Sequence, residues 1–156
     1  MPRRPADSDR PVIMVGPGTG VAPYRAFLQQ RQATGAAGRN WLLFGDRRYT
    51  HDFLYQLDWQ ELKAEGVLTR IDLAFSRDQP EKVYVQHRMW ERRRDLFAWL
   101  EDGAHLYVCG DEKRMAKDVD ATLRRIVAEA GGRSEEQATA YLAELKRQGR
   151  YQRDVY

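Results

Sequence analysis

Four short apolar segments, each followed by a glycine or serine, constrain the fold of this chain more than any other feature. They are 12–15, 41–44, 71–75 and 105–109, and they are followed by Gly16, Gly45, Ser76 and Gly110. Short, nearly continuous apolar runs bounded by turn residues are typical of strands that are buried on both faces of a parallel sheet. The sequence therefore predicts a sheet with other elements packed on both of its sides.

Segments with helical spacing lie between these runs. Tyr24, Phe27 and Leu28 recur at i, i+3 and i+4 directly after Pro23, a residue favoured in the first turn of a helix. Further helices are predicted over 53–65 and 119–130 and after Ser134, which together with Gln137 resembles a capping box. Strands that alternate with helices predict an α/β fold: an open parallel sheet of about five strands, flanked by helices on both faces.

The length of 156 residues is suited to one domain. We expect that domain to occupy 12–156, preceded by a charged, proline-rich tail or severed linker over 1–11. No signal peptide is visible in that tail, and no apolar run approaches the roughly 20 residues of a membrane span. These features predict a cytoplasmic protein that is not embedded in a membrane.

The charged and sulfur-containing residues exclude several classes of site. The 26 basic and 23 acidic residues give a net charge of only +3 and are interspersed, which does not indicate a nucleic-acid partner. The single cysteine, Cys109, excludes an internal disulfide and a multi-cysteine zinc site. The three histidines lack the spacing of metal ligands, so no metal is expected.

A glycine-rich turn follows the first predicted strand. In the segment 16–23, Gly18 and Gly20 allow the backbone to approach an anion closely, and Thr19 adds a hydroxyl donor. Val21 stands where a Walker loop has lysine and where the common dinucleotide fingerprint has its last glycine. The turn therefore indicates phosphate binding, with a plain strand-to-helix turn as the alternative.

A charged segment, 76–86, follows the third predicted strand. Ser76, Arg77 and Lys82 provide a hydroxyl, a planar guanidinium and an ammonium group at the edge of the sheet where ligands bind. This set suits a phosphate monoester on a ribose, since arginine binds phosphate oxygens in a bidentate manner. Tyr84 and Gln86 are suited to a purine and its ribose. A solvated charged loop is the alternative.

The end of the second predicted strand bears on the choice between NAD and NADP. Asp46 stands where an acid often accepts the 2′-hydroxyl of NAD, but the adjacent Arg47 and Arg48 favour an anion. Together with Ser76, Arg77 and Lys82, these arginines favour NADP.

Five sequence blocks in a fixed order identify a family. They are 16–31, 43–55, 75–89, 107–119 and 150–156. In this order the blocks resemble the NADPH-binding module of the ferredoxin–NADP⁺ reductase-like diflavin reductases, and the resemblance covers nearly everything from Val12 onward. Within that family, the last block is most similar to the sulfite reductase flavoproteins.

The resemblance implies roles in holding NADP(H). Thr19 corresponds to a residue that contacts the pyrophosphate region, and Ser76 and Arg77 correspond to the pair that holds the 2′-phosphate. Asp118 corresponds to a further acidic residue that contacts NADP. The family stretch that runs along the adenosine end of the nucleotide corresponds to Lys82, Val83, Tyr84, Val85 and Gln86.

The resemblance also implies a reaction centre. Cys109 corresponds to a cysteine that borders the nicotinamide, with an acid corresponding to Asp154 nearby. Tyr156 corresponds to the aromatic residue that stacks on the FAD isoalloxazine and moves aside for nicotinamide. Taken without the resemblance, Cys109 is equally well explained as a small buried hydrophobic residue.

Diflavin reductases carry FAD and FMN domains that have no counterpart in this sequence. We therefore expect a fragment, or a separately encoded module, that binds NADP(H) without efficient turnover. In the complete protein, the resemblance implies hydride transfer to FAD in a neighbouring domain, in cis or in trans, and then electron transfer through FMN to a sulfite-reducing haemoprotein subunit.

Three other hypotheses remain open from the sequence. The chain is alternatively a stand-alone NADP-binding or sensor domain, or the same module of another diflavin reductase. A sensor has no need of an aromatic residue such as Tyr156 at the chain end. A nucleic-acid module based on 92–94 and 124–125 is less consistent with the acidic residues that surround those arginines.

Overall fold

A five-stranded parallel sheet with the strand order β3-β2-β1-β4-β5 forms the centre of the protein. The computed structural model describes residues 10–17, 22–35, 38–46, 56–75, 84–110 and 113–155. The strands are β1 (Val12–Pro17), β2 (Asn40–Asp46), β3 (Arg70–Phe75), β4 (His105–Gly110) and β5 (Tyr151–Val155). The predicted fold class is confirmed.

Helices cover both faces of this sheet. They are α1 (Ala22–Thr34), α2 (Gln56–Ala64), α3 (Val85–Glu91), α4 (Arg93–Glu101), α5 (Lys113–Ala130) and α6 (Glu135–Arg147). Side chains alternate between the faces along each strand. In β1, Met14 packs with α1 and α2, whereas Ile13 and Val15 pack with α3 to α6. Two apolar layers therefore hold the sheet between them.

The boundaries of several elements differ from the sequence prediction. The segment 76–86, predicted as one loop, ends earlier than expected because α3 begins at Val85. The strand β5 lies within the block 150–156, which was identified only as a family motif. The helix predicted over 53–65 is observed over Gln56–Ala64, and 53–55 lie outside the described residues.

A local signal in the sequence predicts the start of α6, whereas α5 begins at Lys113, before the predicted range 119–130. Ser134 Oγ accepts a hydrogen bond from the Gln137 N–H at 3.1 Å, and Gln137 Oε1 accepts one from the Ser134 N–H at 3.0 Å. This capping box begins α6 as predicted.

The part of the chain that the structure describes contains no helix with the length and apolar character of a membrane span.

Two residues of the predicted tail contact the folded domain. Pro11 is buried, and its carbonyl oxygen accepts a hydrogen bond from the His105 N–H at 2.9 Å. The Arg10 carbonyl oxygen accepts one from Arg31 at 3.2 Å. These contacts guide the chain into β1. Residues 1–9 lie outside the described residues.

A buried carboxylate joins β3 to the neighbouring β2 and to the start of α4. Asp72 accepts a hydrogen bond from Trp41 Nε1 at 2.7 Å and lies 3.3 Å from Nε of both Arg70 and Arg92. The Arg70 guanidinium also stacks over the Trp41 ring, 4.5 Å from its centroid. The charge of Asp72 is thus shared among three donors at the edge of the sheet.

His105 begins β4 in an environment that disfavours its protonation. Burial, reinforced by the guanidinium groups of Arg150 and Arg10, lowers the pKa of His105 from 6.5 to about 4. Its Nδ1 atom is buried without a hydrogen-bond partner among the described residues. The imidazole is therefore neutral in the folded protein at neutral pH.

We expect the free energy of unfolding to decrease as the pH falls from 6.5 to about 4, because His105 takes up a proton in the unfolded chain but not in the folded one. After allowance for solvent screening of this partly exposed ring, the contribution is on the order of 1–2 kcal/mol. Urea unfolding of the wild type and His105→Gln at both ends of this range measures it. The variant should lose less stability on acidification, and an equal loss would contradict the assignment.

Candidate functional site

The strand order creates an opening at the carboxyl edge of the sheet. From β1, the next two strands along the chain, β2 and β3, lie on one side of β1. The last two, β4 and β5, lie on its other side, so the strand order reverses between β1 and β4. Pairing between these two strands ends at Val15 and Val108. Each continues further with its outer neighbour, β1 to Pro17 and β4 to Gly110. Open α/β sheets bind ligands in such a crevice.

Tyr24 of α1 is fixed at the base of this crevice. Its hydroxyl lies 2.9 Å from the carbonyl oxygens of both Val15 and Tyr107, one on each side of the strand reversal. The side chain is buried, and one phenolic proton is shared between the two acceptors. Because α1 follows the glycine turn, this contact holds the start of the helix over the place where β1 and β4 separate.

Replacing Tyr24 with phenylalanine is expected to lower the free energy of unfolding by about 1–2 kcal/mol, since two buried carbonyl oxygens lose a donor. Urea unfolding measures the change. Tyr84→Phe, which removes a hydroxyl from an exposed side chain, is the matched control and should stay within about 0.5 kcal/mol of wild type. Equal effects in the two variants would show that the shared hydroxyl does not stabilise the junction.

Several predicted cofactor contacts lie outside the described residues, but their flanks are defined. Gly18, Thr19 and Gly20 lie between the end of β1 at Pro17 and the start of α1 at Ala22. The other members of this group are Ser76, Arg77, Lys82 and Val83, which lie between β3 and α3, and Tyr156, which follows β5. Because the strands are parallel, all three segments leave the sheet at its carboxyl edge.

Cys109 and Asp154 occupy paired positions at that edge. They are Cα partners in the parallel register of β4 and β5, one residue before the end of each strand. Cys109 is 1% exposed and packs with the apolar cluster that includes Met14 and Tyr107. The fold thus brings together the two positions predicted to border the nicotinamide, and their roles stay predictions.

The residues around the start of α3 divide between solvent and core. Tyr84 is 43% exposed, Gln86 is half-buried, and Val85 is 3% exposed. A Cβ atom at Gly45 would lie 3.2 Å from the Val85 Cβ, so glycine at the end of β2 permits this close approach. The Val85 side chain therefore packs in the core, and the Tyr84 side chain is available to a ligand.

Asp118 lies on α5, the helix that follows β4. The helix begins at Lys113, and Asp118 is partly exposed in its second turn. Its position on the helix leaving the crevice is compatible with the predicted contact to NADP. Asp46, the acid weighed for NAD, ends β2, and its side chain lies outside the described part of the structure.

Comparison with known proteins identifies the domain. A model of the oxidoreductase NAD-binding domain family matches residues 14–121, more than half of the chain. The chain belongs to this family. This agrees with the family predicted from the five sequence blocks.

The NAD-binding domain is similar over nearly its whole length to one kind of flavoprotein subunit. It is 59% identical to the sulfite reductase [NADPH] flavoprotein alpha-component of Vibrio cholerae, over 97% of this chain and 25% of the relative. The corresponding proteins of Pectobacterium atrosepticum and Escherichia coli are 57% and 59% identical, each over 99% of this chain. The chain spans about a quarter of the length of these curated relatives.

Two contacts that shape this NAD-binding domain were not found from the sequence. The Arg88 Nε donates a hydrogen bond to the Leu73 carbonyl oxygen at 2.7 Å and so ties α3 to β3. The sequence analysis placed Tyr24 on the apolar face of a helix but did not predict the contacts of its hydroxyl with Val15 and Tyr107. Neither contact has a local signature, because each depends on where the helix lies relative to a distant strand.

Proposed function

We propose that this chain is the NADP(H)-binding module of a sulfite reductase-type flavoprotein. The observation that carries the proposal is the 57–59% identity to three NADPH-dependent flavoprotein subunits over 97–99% of the chain. The crevice between β1 and β4 supports it, because this is the place where open α/β sheets hold dinucleotides. The proposal concerns recognition by this chain and assigns the flavin chemistry to other domains.

We propose that the dinucleotide held in this crevice carries a 2′-phosphate. The 13-residue helix α1 begins beside the crevice, and its N-terminus favours the pyrophosphate next to Thr19. We assign the 2′-phosphate to Ser76, Arg77 and Lys82 on the segment that joins β3 to α3. We propose that the exposed ring of Tyr84, at the end of that segment, stacks on adenine.

The nicotinamide end is assigned to the paired carboxyl ends of β4 and β5. When bound, NADPH supplies the hydride that a flavin accepts. We propose that Cys109, which is buried, borders the nicotinamide on its apolar side, and that Asp154 stabilises the charge that develops on the ring. Tyr156 is proposed to cover the flavin until nicotinamide takes its place.

The complete protein is proposed to hold FAD and FMN in domains outside this chain. We propose that it passes electrons to a haemoprotein subunit that reduces sulfite, and that it acts in the cytoplasm. An FAD-binding domain, in cis or in trans, is accordingly the first partner. Mixing the chain with such a domain should restore NADPH-dependent flavin reduction. The loss of flavin absorbance measures this reaction.

Calorimetric titration of the chain with NADP⁺ and NAD⁺ tests the proposed recognition. We expect NADP⁺ to bind at least about tenfold more tightly, since one charge-assisted hydrogen bond to the 2′-phosphate is worth about 1.5–3 kcal/mol. Equal affinity for the two nucleotides, or binding of neither, would contradict the assignment. The chain should also purify without stoichiometric flavin, as seen in its visible absorbance spectrum.

A further inference from the structure

Tyr84 stands out among the described residues because its large apolar side chain is exposed. Its exposed fraction is 43%, and it immediately precedes α3 at the end of the segment 76–83. Its backbone is extended, with φ −110° and ψ 168°. An exposed ring contributes to binding most when its position is set before the ligand arrives, because less conformational entropy is then lost on association.

One residue, His87, holds Tyr84 in that position. The Tyr84 N–H donates a hydrogen bond to His87 Nδ1 at 2.8 Å, and the His87 N–H donates one to the Tyr84 carbonyl oxygen at 3.0 Å. The two rings lie 5.7 Å apart between centroids, at an interplanar angle of 41°. Both backbone polar groups of Tyr84 are thus bound by a single neighbour, whose ring also flanks the tyrosine ring.

The helix that carries His87 is itself fastened to the sheet. Val85 packs against Gly45 at the end of β2, and Arg88 donates to the Leu73 carbonyl oxygen in β3 at 2.7 Å. Contacts to two strands therefore fix the first turn of α3. Because His87 belongs to this turn, its hydrogen bond holds the Tyr84 backbone in a fixed position relative to the sheet.

We propose that His87 is a positioning residue that presents the Tyr84 ring to the adenine of a 2′-phosphorylated adenosine nucleotide. The inference rests on the proposed function, in which Tyr84 contacts adenine. His87 needs no contact with the nucleotide, because it acts through the backbone and ring of Tyr84. Its imidazole performs this role with the proton on Nε2, which leaves Nδ1 free to accept.

A glutamine elsewhere in the chain makes the same kind of contact that His87 makes with the Tyr84 N–H. At the start of α6, Gln137 Oε1 accepts a hydrogen bond from the Ser134 N–H three residues earlier, at 3.0 Å. His87 stands in the same relation to Tyr84. His87→Gln therefore keeps an acceptor at this position, whereas His87→Leu removes it.

Calorimetric titration with 2′,5′-ADP, which carries the adenine and the 2′-phosphate but no nicotinamide, tests the proposal. Tyr84→Leu should weaken binding about tenfold, as expected for the loss of base stacking. His87→Leu should weaken it about fivefold, and His87→Gln should stay within about twofold of wild type. In the Tyr84→Leu background, His87→Leu should cause no further loss, because the two residues act as a unit.

A second measurement follows the same variants without ligand. Hydrogen exchange of the Tyr84 amide should be slow in the wild type and His87→Gln and fast in His87→Leu. A His87→Leu loss of affinity that persists in the Tyr84→Leu background would overturn the positioning role. Binding of 2′,5′-ADP that is lost in Arg77→Ala but unchanged in Tyr84→Leu would overturn it while the proposed function stands. Failure of the wild type to bind 2′,5′-ADP would overturn the proposed function itself.

Discussion

Replacing Arg77 with alanine is expected to weaken NADP⁺ binding by roughly 10- to 100-fold, because the charge-assisted, bidentate contact that we propose to the 2′-phosphate would be lost. NAD⁺, which lacks that phosphate, should lose no more than about threefold in affinity. Calorimetric titration of the variant with both nucleotides measures the two effects. The ratio of the two affinities is the informative quantity, since it separates recognition of the 2′-phosphate from a general loss of folding.

Arg39→Ala provides the matched control for Arg77→Ala. Arg39 precedes β2 at the amino edge of the sheet, and its side chain is 47% exposed and paired with Asp102 at 2.6 Å. Removing this charge at the opposite edge should leave both affinities within about twofold of wild type. An equal loss of NADP⁺ and NAD⁺ binding in Arg77→Ala would mean that the arginine contacts a different part of the nucleotide.

Removal of the Asp72 carboxylate is expected to have the largest effect on stability. Asp72→Ala should lower the free energy of unfolding by about 2–3 kcal/mol, because it leaves the Trp41 indole N–H buried without its acceptor and strips two arginines of their shared partner. The estimate lies below the full cost of breaking a buried pair because Arg70 and Arg92 are partly exposed. Urea unfolding near pH 7 measures the change.

Asp95→Ala is the control for Asp72→Ala, because it removes an exposed carboxylate where Asp72→Ala removes a buried one. Asp95 contacts the same Arg70 at 2.8 Å, but its side chain is 55% exposed. Its removal should cost no more than about 1 kcal/mol, as is usual for a surface ion pair. If Asp72→Ala and Asp95→Ala destabilise the protein equally, the hydrogen bond to Trp41 contributes nothing measurable.

The central strands were predictable because burial on both faces demands apolar residues at nearly every position. Val12 to Val15 are all buried, as are Trp41 to Phe44. The edge strand β5 carries the weaker pattern Tyr151 to Val155, in which Gln152 is half-buried and Arg153 is exposed. The other edge strand, β3, carries the apolar run 71–75 and was predicted from it. The signal is missing from β5 because polar residues occupy three of its five positions.

The start of α3 was missed for a different physical reason. Its apolar residues, Val85 and Met89, have helical spacing, but only seven residues form the helix and most of the others are polar. Its position depends on the close contact between Val85 and Gly45 and on the Arg88 contact to β3, and both of these join distant parts of the chain. Local propensity alone does not predict such contacts.

The candidate site was predictable to a similar degree. The positions of the segments after β1 and β3 followed from the rule that parallel strands present their carboxyl ends at one edge. The nearness of Cys109 and Asp154 was implied only by the family resemblance, and the structure pairs these two positions in β4 and β5. The hydroxyl of Tyr24 and the imidazole of His87 were not predictable in their structural roles. Each binds backbone groups whose location is known only once the helices are placed.

The firm anchoring of both ends of the segment 76–83 has a consequence for protein engineering. Phe75 ends a strand that is paired with β2, and Tyr84 is held by a helix fastened to two strands. We therefore expect the eight intervening residues to tolerate replacement as one segment. Grafting the corresponding segment of an NAD-dependent relative should transfer coenzyme preference without repacking of the interior, which makes this segment the natural target for libraries that alter nucleotide selectivity.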